Sequence, residues 1–237
     1  MPHAHLPPEA ILFDKDGTLM DFQASWAPWA HAAILRLCAA DPDKTDPVAA
    51  ALGFDMAAVQ FLHDSPVVAG APDDILRLLR PFFPQESDAA LLAALETEEA
   101  SFAPAPVSAL HQTCGQLRAA GLKLAVVTND FEASGRLHLQ HMQIAGAFEA
   151  VVGYDSGYGA KPAPGPCLGA AALLGVRPEA CVMVGDSLHD LDAGRAAGMR
   201  TVGVLTGVAR AEDLRPHADV VLDTIATLPD WLAQTGA

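Results

Sequence analysis

Basic residues are scarce in this 237-residue chain: 14 Lys and Arg stand against 29 Asp and Glu, a formal charge of −15. A surface of that sign repels nucleic acid and anionic membranes. No Lys/Arg cluster or aromatic-basic stripe offsets it, so neither is an expected partner. Cysteine is sparse too. Cys38, Cys114, Cys167 and Cys181 lie far apart with no C-x-x-C pair, which excludes a thiolate zinc site or a small disulfide scaffold and makes a reducing cytoplasm the expected compartment. The first residues lack the charged and apolar regions of a signal peptide, and no apolar run is long enough to span a bilayer. Internal repeats are absent. The hydrophobic fraction of 51% suffices for one large domain, or for a core plus a smaller one.

Two textures alternate along the chain. Short β-branched runs, each followed by Gly, Asp or Asn and then by a helical pattern, occupy 10–14, 123–128, 149–153, 181–185, 201–205 and 219–222. Strands buried on both faces read this way, so the expected fold is α/β, a doubly wound parallel sheet with helices on each side. Between the first and second runs no convincing strand is found. Helical patterns at 25–40, 46–52, 56–63, 73–79 and 88–101 are broken by Asp41-Pro42, Gly53, Ser65-Pro66 and Pro84. A connection of that length is too large for a loop and implies an inserted helical domain. The expected division is a core of 1–21 and 104–237 with an insertion over 22–103.

The predicted strand ends carry the chemistry. Ile11-Leu12-Phe13-Asp14-Lys15-Asp16-Gly17 delivers two carboxylates spaced i and i+2, which share a side of an extended strand and so can reach one reacting atom. Acids this close repel unless a cation or a shared proton lies between them. Gly17 lets the backbone leave sharply, and Thr18 can bond a nearby main-chain group. The run Leu124 through Val127 ends in Thr128-Asn129, a hydroxyl and an amide that suit phosphoryl oxygens or, equally, cap the next helix. Lys161 precedes Pro162, which favours an extended backbone and can direct the side chain toward the sheet edge; the other reading is a solvated loop lysine. Val184-Gly185-Asp186 and Asp190 put two acids on one side of a forming helical turn, hard oxygen ligands of the kind magnesium takes, or else simple helix-starting residues. His189 between them reads as a loop side chain.

Taken in order, the acid pair, Thr128, Lys161-Pro162 and Gly185-Asp186 with Asp190 resemble the four motifs of the haloacid dehalogenase-like superfamily, in its phosphate-transferring branch. The resemblance spans about 11–222. It implies magnesium dependence, an aspartyl-phosphate intermediate and a helical cap that selects substrate. By matching position, Asp14 is the implied nucleophile and Asp16 the implied acid and base. Thr128 and groups near Asn129 are the implied phosphate binders, and Lys161 the implied neutralising cation. One oxygen of Asp14, the carbonyl of Asp16 and the carboxylate of Asp186 are the implied metal ligands, with Asp190 behind them orienting water or Lys161.

Asp16 argues against a haloalkanoate dehalogenase, where no leaving-group acid is needed, and against the phosphonate-cleaving branch. The location of the cap and the Gly-Asp-Ser motif look most like phosphoglycolate phosphatase. The expected activity is hydrolysis of a small phosphorylated metabolite by a monomer or small homo-oligomer. A sugar phosphomutase and a non-catalytic phosphate-binding protein are the alternatives. Two departures from the family pattern stand out: Lys15 replaces an apolar residue, and Gly165 stands where an acid is frequent. In the cap, Gln23, Trp26, Ser65 and Val67 are the expected specificity residues; Trp29 is a weaker candidate.

Overall fold

The computed structural model describes residues 6–68, 70–99 and 102–234. The first five residues, Ala69 and the end of the helix expected to reach residue 101 lie outside them. Six strands form one sheet: β1 (Ala10–Phe13), β4 (Lys123–Val127), β5 (Ala150–Val152), β6 (Cys181–Gly185), β7 (Arg200–Val204) and β8 (Val220–Leu222). Their spatial order is β5-β4-β1-β6-β7-β8, and every pairing is parallel. All six expected strands are present. The chain winds from β1 to one side through β4 and β5, then returns to build the other side, so β1 stands where the winding reverses. Ligands of open α/β sheets bind at that point, beyond the C-terminal strand ends.

Alternation within the strands explains why both faces are covered. Ile11, Phe13, Leu124, Val126, Val182 and Val184 join one hydrophobic cluster; Ala10, Leu12, Ala125, Val127 and Met183 join the other. Neighbouring residues thus face opposite layers, and the continuous apolar runs follow. Helices α5 (Leu110–Ala119), α6 (Glu132–His141) and α10 (Leu228–Gln234) supply residues to the first layer. Helices α7 (Gly165–Leu174) and α8 (Leu188–Ala196) supply the second, and the short α9 (Ala211–Leu214) follows β7.

Between β1 and β4 the chain builds α1 (Phe22–Leu37), α2 (Thr45–Ala51), α3 (Pro72–Leu79) and α4 (Asp88–Glu99) around a third cluster that includes Ile34, Val48, Leu52, Phe61 and Leu79. Asp21 starts α1 by accepting a bond from Ala24 N at 2.8 Å, a cap that satisfies one of the helix's open donors. The two strands of chain joining this unit to the sheet run side by side. Asp21 N donates to Ala105 O at 2.8 Å, and Ala105 N donates to Ser25 Oγ at 3.0 Å.

One expected helix is corrected. Residues 56–63 do not form it; β2 (Phe54–Asp55) and β3 (Gln60–Phe61) pair as an antiparallel ribbon. The Asp55 carboxylate accepts from Ala57 N and Ala58 N, both at 2.9 Å, and so closes a turn that competes with helix. Gln23 then holds the second strand, its amide donating to Phe61 O at 2.8 Å and accepting from Phe61 N at 3.0 Å. A long-range side chain therefore overrides the local periodicity.

Candidate active site

The sheet brings the separate motifs together. Phe13 is in register with Val126 on one side and Val184 on the other, so Asp14, Thr128 and Asp186 emerge at the same edge. Lys161 reaches into that edge from its loop. Its Nζ donates to Asp14 Oδ1 at 2.6 Å, to Asp190 Oδ1 at 2.6 Å and to Val127 O at 2.7 Å. The Asn129 carboxamide fixes the lysine's main chain, accepting from Lys161 N at 2.8 Å and donating to Lys161 O at 2.9 Å. Asn129 is thus a positioning group through its side chain. Asp190 also accepts from Ser187 N at 3.1 Å and Ser187 Oγ at 2.7 Å, a capping box that ties the start of α8 to the same acid.

Asp186 is held by space as well as by bonds. Thr18 Oγ1 donates to its Oδ1 at 3.2 Å, a side-chain partner where a main-chain one was expected. Gly17, at φ +83°, and Gly207 approach so closely that a Cβ on either would overlap the Asp186 carboxylate. Thr206 Oγ1 donates to Gly17 O at 2.6 Å and ties the two loops together.

Carboxylate oxygens of Asp14, Asp186 and Asp190 lie within 4.8 Å of one another, all three residues buried. Burial raises the Asp14 pKa to about 7; Lys161 opposes the shift, while Asp190 and Asp16 add to it. Burial and the neighbouring Asp14 and Asp190 push Asp186 well above the usual carboxylate range. Burial works against the charge of Lys161, but Asp14 and Asp190 overcome it and hold the ammonium protonated. A cluster of hard oxygens that resists holding its full negative charge alone suits a divalent cation.

Asp16 has a different environment. Lys15, fully buried, donates to Asp16 Oδ1 at 2.8 Å, lies 3.1 Å from Asp130 Oδ2 and approaches His138 Nδ1 at 2.9 Å. Trp26 Nε1 donates to the same Asp16 oxygen at 2.5 Å. Burial tends to raise the Asp16 pKa, but Lys15 and the Trp26 donor outweigh it and hold the group below the usual range. His138 is driven down to about 3 by burial and by Lys15, which leaves its imidazole neutral. Lys15, Asp130 and His138 were not expected at the site. The only sequence signal was a lysine between two acids, because Asp130 and His138 lie more than a hundred residues away.

A cavity of about 160 Å³ opens above these groups, bounded below by Asp14, Asp16, Thr128, Lys161 and Asp186. Trp26, Trp29, Phe61, Val67, Val68 and Ile75 wall it from the inserted unit. Gln23 and Ser65 do not line it. The first braces the ribbon and the second donates to Leu52 O at 2.6 Å. His189 also lines the cavity. Tyr154 Oη donates to Asp73 Oδ2 at 3.0 Å, a direct bond between sheet-side loop and cap.

Residues 8–198 match the family model of the haloacid dehalogenase-like hydrolases. The chain belongs to that family, as an enzyme of the phosphoric monoester hydrolase type. A phosphoglycolate phosphatase of Nitrosospira multiformis is 30% identical over 214 residues, covering 90% of this chain and 89% of the relative. The pyrophosphatase PpaX of Bacillus velezensis is 29% identical over 221 residues, 92% and 94% of the two chains. The crystal structure of a predicted phosphoglycolate phosphatase from Haemophilus somnus superposes with a TM-score of 0.71 at 20% identity, covering 95% of this chain and 98% of that one, and so shares the fold. No helix among the described residues is long and apolar enough to cross a membrane.

Proposed function

We propose that the protein hydrolyses a small phosphomonoester through a phosphoryl group carried on Asp14, with magnesium as cofactor. The observation that carries this reading is Lys161 spanning Asp14 and Asp190 beside Asp186 at the switch point of the sheet. Phosphoryl transfer needs in-line positioning and neutralised charge more than elaborate covalent chemistry. The Asp14 oxygen not facing Lys161 attacks phosphorus; Asp16, ionised at rest, takes up the proton of the phosphate monoanion, passes it to the departing oxygen and then takes one from the water that releases phosphate. Thr128 Oγ1 accepts from Asp130 N at 3.1 Å, which leaves its own O–H to donate to a phosphoryl oxygen. The metal would be held by Asp14, the Asp16 carbonyl and Asp186, with Asp190 behind them; when bound it supplies positive charge for the phosphoryl oxygens.

We assign residues 22–103 the part of a cap that covers the intermediate, with its hinges beside Asp21 and Ala105. The names of the relatives make 2-phosphoglycolate the first ester to assay. Phosphate release from a panel of monoesters, with magnesium and after chelation, tests the reading. Release that persists unchanged in Asp14→Asn or without divalent metal would overturn it.

A further inference from the structure

Resting on the phosphatase reading, we infer that the substrate's organic part is apolar and compact, the size of one aromatic ring or a short branched alkyl chain, with no second anionic group. The cap wall of the cavity is built from Trp26, Trp29, Phe61, Val67, Val68 and Ile75. The indole N–H of Trp26 is already bonded to Asp16, so that residue offers substrate no free donor. No arginine lines the cavity among the described residues, and its lysine, Lys161, is held between Asp14 and Asp190.

The cationic residues of the cap are engaged elsewhere. Its sequence over 22–103 holds only Arg36, Lys44, Arg77 and Arg80. Arg36 donates to Ala94 O, while Lys44, Arg77 and Arg80 pair with Asp41, Asp74 and Asp88. His189, outside the cap, contributes an imidazole to the lining.

A carboxylate or second phosphate pushed against this wall would lose water and find no counter-charge, which is costly. An apolar group gains instead, by roughly fourfold in binding for each CH₂ buried. A cavity of about 160 Å³ compares with the roughly 150 Å³ apolar cavity that admits benzene, which sets the upper size.

The test compares benzyl phosphate, 2-phosphoglycolate and pyrophosphate as substrates of the full chain with magnesium. The first two both expel an alkoxide, so their difference reads out the cap wall. The expected result is kcat/KM at least tenfold higher for benzyl phosphate than for either anionic compound, carried by KM. In parallel, quenching of Trp26 and Trp29 fluorescence should give benzylphosphonate a Kd at least tenfold below that of phosphonoacetate. Ile75→Arg, or Val67→Lys should the first variant fold poorly, should shift both ratios toward the carboxylate ligand. Equal or better turnover of 2-phosphoglycolate would overturn the inference and leave the phosphatase reading standing. Absence of turnover on every ester would sink the phosphatase reading, and the phosphonate Kd ratio would still decide the character of the wall.

Discussion

On the sheet side of the cavity polar groups are tied to one another: Lys161 to Asp14 and Asp190, Lys15 to Asp16 and Asp130, Thr18 to Asp186. On the cap side the wall is aromatic and aliphatic, and its own charges pair on the outside. The sheet side is set before substrate arrives, as electrostatic catalysis requires. Apolar contacts on the cap side are non-directional, so substitutions there can retune recognition without disturbing the reacting atoms. If that division is right, changes to the sheet side should act on every substrate alike, and changes to the cap should reorder substrates.

The sharpest break is Asp14→Asn. The amide keeps the shape but cannot form the acyl phosphate, so steady-state turnover should vanish on all esters while circular dichroism is unchanged. Lys161→Ala comes next, with a loss of roughly a hundredfold in kcat, the scale of one preorganised electrostatic group. Selective loss on some esters only would move Lys161 to the recognition side. Lys15→Met strands the half-buried Asp16 and Asp130 carboxylates, and removing one partner of a fully buried ion pair costs about 3–5 kcal/mol, which sets the upper limit. Denaturant titration should show that loss, and adding Asp130→Asn should recover part of it. Assay at low temperature should show kcat reduced by roughly tenfold, since a charge-assisted bond of about 1.5 kcal/mol holds Asp16 in place. A midpoint equal to that of the parent would mean that water reaches the pair.

A smaller effect concerns pH in the chelated protein. The Asp14 pKa of about 7 lies above its ordinary 3.8, so the folded state keeps a proton that the unfolded chain has released. The Asp14 contribution to stability should therefore fall as pH rises from about 4 through 7, while His138, held down at about 3, opposes it below its ordinary 6.5, so the net fall should show above that value. Magnesium should restore stability most at the alkaline end. Thermal melts of the parent and of Asp14→Asn between pH 6.5 and 8, with and without the metal, check the sign; a chelated parent that loses no more stability over that range than the variant would contradict it. Trp26→Phe is the mildest change. It keeps a ring and deletes one donor to Asp16, so kcat should fall a few fold on all esters, whereas a change in their ranking would assign Trp26 to recognition alone.

The sheet was legible because strands buried on both faces leave continuous apolar runs, and Asp14, Thr128 and Asp186 sit just past such runs. Lys161 illustrates the second half of that logic, since a lone lysine gains meaning only from the strand ends around it. Legibility failed where contacts are distant and local pattern is ambiguous. The 56–63 segment has helical periodicity, yet the Asp55 turn and the Gln23 side chain make it a ribbon. Gln23 and Ser65 were placed near the site by sequence proximity and loop character, but their hydrogen bonds turn them to bracing the cap. The Lys15 network was hidden because Asp130 and His138 reach it only through the pairing of β1 with β4.

Gly207 carries no chemical group, and yet it decides where Asp186 can stand, because the space a side chain would take is already filled by that carboxylate. A search for acids, lysines and hydroxyls passes over it. A relative that retained every acid and lysine of the site but carried a larger residue at this position would have to displace Asp186 or the loop, and could bind phosphate without turning it over. Gly207→Ala offers the corresponding laboratory control: a silenced protein with its full complement of reactive side chains.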